Sequence, residues 1–80
     1  MQRIVVRPPA CGADIIIYLK RVFRIHAEEL QGGERVEFVF DAERFSFAAA
    51  IFESLMACAR LRLIAGREED GSRVFEVEKA

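Results

Sequence analysis

The residue types that could do chemistry in this 80-residue chain are few, and the best placed of them is Cys11. The stretch Pro8-Pro9-Ala10-Cys11-Gly12-Ala13-Asp14 joins a short apolar segment to a long amphipathic one. A helix expected to begin near Ala13 puts the thiol at its first turn. There the unpaired backbone N–H groups and the positive end of the helix dipole favour thiolate, which is the reactive form. Gly12, Ala13 and Asp14 make up the thiol's immediate environment. A second account of Cys11 is a small hydrophobe packed under the loop, and position and composition leave both accounts open.

The remaining reactive side chains are placed less well. Cys58 falls on the expected apolar face of a second helix and reads as a packed core thiol. A resolving role opposite Cys11 requires the two Cα atoms to lie within about 7 Å. His26 sits about four helical turns from Cys11, too far along the same helix to act as its base. Tyr18 and Arg21 read as surface positions. No phosphate loop, dinucleotide fingerprint, zinc-protease pair or nucleophile elbow is present, and two cysteines with one histidine make neither a disulfide framework nor a four-ligand zinc site.

Six elements must position these residues. Arg3–Arg7 reads as a strand ended by Pro8-Pro9, and its run Ile4-Val5-Val6 suggests a central strand. From Ala13 to about Leu30, the residues Ile15, Leu19, Val22, Phe23, His26 and Leu30 recur at helical spacing, with Asp14 in the first turn. Gln31-Gly32-Gly33 stops that helix. Glu34–Asp41 alternates strictly, with Val36, Phe38 and Phe40 on one face.

Asp41-Ala42-Glu43-Arg44 then turns into a helix from about Phe45 to Ala59. Phe47, Ile51, Leu55 and Cys58 share its apolar face, with Asp41 or Ser46 as N-cap. Arg60–Gly66 alternates through Leu61, Leu63 and Ala65. Asp70-Gly71 is a hairpin signal, and Val74–Lys79 follows as its antiparallel partner. The fold class is therefore α+β: a two-layer sandwich of order βαβαββ, with a four-stranded mixed sheet and two helices on one face. The first two strands should be parallel across a right-handed crossover.

Composition narrows the function classes. One domain, residues 1–80, is expected, because a chain this short cannot supply two cores. Apolar residues at 52% and seven Phe suffice for that core. A net charge of −1, with basic residues dispersed among thirteen acids, disfavours nucleic acid as a partner. Arg60, Arg62 and Arg67 read as a solvated strand face beside Glu68, Glu69 and Asp70. No apolar run is long enough to span a bilayer, and Ile4-Val5-Val6 is too short for a signal-peptide core, so no membrane association and a cytoplasmic location are expected.

The whole chain resembles the small sulfur-carrier proteins of the TusA/SirA type, a βαβαββ family. The matches are Gly33-Glu34-Arg35-Val36-Glu37-Phe38 entering the second strand, Asp41 at its end, Asp70-Gly71, and Val74-Phe75-Glu76-Val77-Glu78-Lys79 at the C-terminus. Cys11 matches the position of the family cysteine. Where the family has Cys-Pro-x-Pro, this chain has Cys11-Gly12-Ala13-Asp14, with its prolines before the cysteine. The resemblance implies persulfide relay: Cys11 takes sulfane sulfur from a donor protein and passes it to an acceptor protein, with no metal and no organic cofactor. The competing expectation is a diverged, non-catalytic interaction or regulatory module, in which an exposed sheet face carrying Val39, Ile64 or Val74 serves a partner or a homodimer.

Overall fold

The computed structural model describes residues 1–10 and 12–80. Its elements run β1 (Gln2–Val6), α1 (Ile15–Glu29), β2 (Arg35–Asp41), α2 (Ala49–Cys58), β3 (Leu61–Glu69) and β4 (Ser72–Lys79). The four strands form one mixed sheet in the order β1-β2-β4-β3, with β1 and β2 parallel and the other neighbours antiparallel. Both helices pack on one face of it. The expected two-layer βαβαββ sandwich is the observed one.

The alternation of β2 is what builds the core. Val36, Phe38 and Phe40 point toward the helices and are fully or almost fully buried. Phe40 is the hub: its ring lies 5.0 Å from Phe52, 5.1 Å from Phe45 and 5.8 Å from Phe75 between centroids. These are spacings at which offset and edge-to-face aromatic contacts are favourable. From α1, Leu19, Phe23 and Ala27 close the same cluster. His26 is half-buried with its ring edge-on to Phe38, a packed histidine as the sequence suggests.

Three sequence expectations are corrected here. β1 is an edge strand, not a central one. Its apolar run buries only Val6 fully, while Val5 is 70% exposed on the face away from the helices. The central position beside β2 goes to β4, where consecutive Val74 and Phe75 are buried on opposite faces of the sheet. Val74, expected to be exposed, is therefore 1% exposed and stands apart from the main cluster.

Second, α2 begins at Ala49 rather than Phe45. Asp41 does not cap it; its carboxylate accepts instead from the N–H groups of Glu43 and Arg44, closing a turn right after β2. Ser46 is not its cap either, since Ala48 holds that position without a side-chain bond. The face turned to the core also differs: Phe52, Leu55 and Met56 are buried while Ile51 and Cys58 are exposed.

Third, β3 shifts register between Leu63 and Ala65. Ala65 thereby leaves the face of Leu61 and Leu63, and Gly66 takes the inward place against Phe75. A Cβ at Gly66 would meet that ring at 3.1 Å, so any larger residue here requires the Phe75 ring to give way by a few tenths of an ångström. The Asp70-Gly71 hairpin forms as expected, with both residues at positive φ as a tight primed turn requires.

Candidate functional site

The β1–α1 connection carries the residues singled out from the sequence. Cys11 itself lies outside the described residues, so its neighbours define the site. Gly12 adopts φ +88°, and space around it is open. The Ala13 N–H donates to the Ala10 carbonyl at 3.1 Å. On the strand side, the Tyr18 hydroxyl donates to the Arg7 carbonyl at 2.6 Å. Tyr18 is thus no ordinary surface residue; it ties the first turn of α1 to the end of β1.

Asp14 decides the electrostatics. It is the N-cap of α1, and its Oδ1 accepts from the N–H of Ile16 at 3.0 Å and of Ile17 at 3.1 Å. Sequence periodicity places the helix start near Ala13; the structure places it at Ile15. The carboxylate of Asp14 therefore caps the helix N-terminus, and its charge offsets the positive pole of the helix dipole. Gly12, Ala13 and Asp14 come together in this connection, whereas His26 and Cys58 belong elsewhere. The distance that a resolving role for Cys58 would require involves Cys11, which lies outside the described residues.

Cys58 is exposed, contrary to the expectation of a packed core thiol. The reason is that α2 turns Phe52, Leu55 and Met56 to the core, which leaves Cys58 on the side of the helix toward α1 at the surface. There a groove of about 400 Å³ opens between the two helices, floored by Ile17, Leu55 and Ala59 and edged by Lys20, Arg21 and Arg24. Sequence reasoning missed this feature. The signal available was the run of cations at 20, 21 and 24 in helical register with Ile17.

The opposite face of the sheet carries ion pairs. Arg3 meets Glu37 at 3.1 Å and Glu69 at 3.2 Å, and Arg67 meets Glu37 at 2.9 Å and also Glu69, which closes a four-residue ring across the sheet. Beside it, Arg35 pairs with Glu76 and Glu78, and Arg62 with Glu78. Hydrogen bonds from Arg67 hold the carboxyls of Glu37 and Glu69 below their ordinary value, with Arg3 adding to both. Arg62, then Arg35, does the same for Glu78. Arg62 and Arg67 are thus neutralised at home, in keeping with a solvated strand face.

Among the described residues, no three His, Cys, Asp or Glu side chains cluster so as to hold a metal ion. Among the same residues, no helix is long and apolar enough to cross a membrane. Fold and sites together define a small two-layer α+β domain with a cysteine-bearing β1–α1 connection and a cation-edged groove between its helices. In comparison with known proteins, no family model and no curated protein matches the chain.

Proposed function

We propose that the chain is a sulfur carrier of the TusA/SirA type, with Cys11 as the carrying residue and protein partners as donor and acceptor. The observation that supports this most is the βαβαββ order, with Cys11 in the connection between β1 and α1. The Cys11 thiolate attacks the outer sulfur of a donor persulfide. The donor S–S bond breaks, the donor departs as thiolate, and a persulfide forms on Cys11. An acceptor thiolate then attacks that outer sulfur and releases Cys11 as thiolate, with no net oxidation in either step.

A second reading is a diverged interaction module, favoured by the Asp14 carboxylate that already occupies the α1 N–H groups. Alkylation of Cys11 across pH, followed by intact mass and repeated after incubation with cysteine persulfide, separates the two. For the carrier, Cys11 titrates below the free-thiol value of about 8.5. It also gains one sulfur that is lost in Cys11→Ser and kept in Cys58→Ser. A Cys11 that neither reacts nor gains sulfur overturns the carrier reading in favour of the module.

A further inference from the structure

We infer that the groove between α1 and α2 is a docking site for an acidic, amphipathic helical segment of another protein. Two groups of cations in this molecule contrast. Those of the open sheet face, Arg3, Arg35, Arg62 and Arg67, all pair with carboxylates. Lys20, Arg21 and Arg24 line the groove and make no ion pair among the described residues. A domain of net charge −1 thus sets three cations side by side, none in an ion pair among the described residues, along one edge of one groove.

The floor beneath that edge is apolar. Ile17, 57% exposed, lines it together with Leu55, Cys58 and Ala59. Ile17 is a large apolar side chain the fold itself leaves uncovered. A cationic edge over an apolar floor is complementary to a helix with leucine-like residues on one face and carboxylates on its flank, the helix-in-groove mode of recognition. The edge from Ile17 to Arg24 runs roughly 10 Å, about two turns of such a helix.

Charge argues against the other occupants. Two copies meeting face to face through this groove would set Lys20, Arg21 and Arg24 of one against the same cations of the other. Nucleic acid would find no aromatic side chain in the lining on which to stack a base. The inference stands independently of persulfide chemistry at Cys11.

The test is fluorescence anisotropy with a labelled synthetic peptide of about four turns, Leu on one face and Glu on both flanks. Parallel arms use the same peptide with Gln for Glu, a single-stranded oligonucleotide of equal charge, and vesicles with anionic headgroups. Saturable micromolar binding is expected. It should weaken with added salt, fall at least about tenfold in Arg21→Glu/Arg24→Glu, and fall again in Ile17→Ser. The Gln peptide should bind more weakly than the Glu peptide. These positions are exposed, so circular dichroism should match the unsubstituted chain, and the salt dependence of that chain is a second readout free of substitutions. No saturable binding, binding indifferent to the Arg21→Glu/Arg24→Glu change, or equal or tighter binding of oligonucleotide or vesicles overturns the inference. So does self-association abolished by the same variant.

Discussion

Asp14 shows how one side chain serves two demands that pull apart. As a cap it satisfies two N–H groups that have no partner within the helix. As an anion three positions from Cys11 it opposes the charge state that persulfide chemistry needs. Two substitutions separate these effects. Asp14→Ala removes the cap and should lower stability by about 1 kcal/mol, seen as an earlier urea midpoint. Asp14→Asn keeps a capping oxygen and should hold stability close to the parent while removing the charge, so Cys11 should alkylate faster at neutral pH than in the parent chain. Equal alkylation rates would mean that the carboxylate does not act on the thiol. The residue was legible in the sequence as an acid that suits a helix start. Its exact station was not, because Ile15-Ile16-Ile17 gives no sharp boundary by periodicity alone.

At the level of elements, strict alternation and turn chemistry read out well: β2 and the Asp70-Gly71 hairpin lie where the pattern puts them. The start of α2 did not, for a definite reason. Phe45 and Phe47 have the hydrophobicity of a helix face, but Phe45 is buried from a loop and Phe47 packs beside Phe52 from the same loop. That loop is held by a residue far along the chain. The Arg73 guanidinium donates to the carbonyls of Phe45 and Phe47 and lies 4.8 Å from the centre of the Phe52 ring. No local window contains that information. Replacing Arg73 by Met keeps an apolar stem and removes the donors. Charged hydrogen bonds and a cation–π contact together set an expected loss of about 2 kcal/mol, read by urea unfolding. Trypsin should also cut after exposed Arg44 faster than in the parent, while cleavage within α1 is unchanged. A cleavage pattern identical to the parent's would show that Arg73 does not pin this loop.

The whole molecule is a sheet with one face sealed by helices and the other roofed by charge. Alternation in the sequence correctly put Val39 and Val74 on the side away from the helices, but it could not reveal strand order, and so it suggested an apolar docking face. With β4 in the centre, Val74 is instead deeply buried, and the Arg3–Glu37–Arg67–Glu69 ring runs across that face from edge strand β1 to edge strand β3. This roof has a pH signature. The carboxyls of Glu37, Glu69 and Glu78 are held below the ordinary 4.5 by their arginines, so their contribution is present above that value and is lost as pH falls below it, through the lowered values of the folded state. Thermal stability should be level from neutral pH to about 5 and decline below it. In Glu37→Gln/Glu69→Gln the acid decline should be shallower, because the ring no longer loses charge there. Exposed pairs of this kind are screened by salt, so roughly 1 M sodium chloride should narrow the difference between parent and variant at neutral pH. Melting curves of both proteins from pH 7 to 3, at low and high salt, decide the matter. Parallel acid limbs in the two proteins would mean that the ring roofs the sheet without fastening its edges.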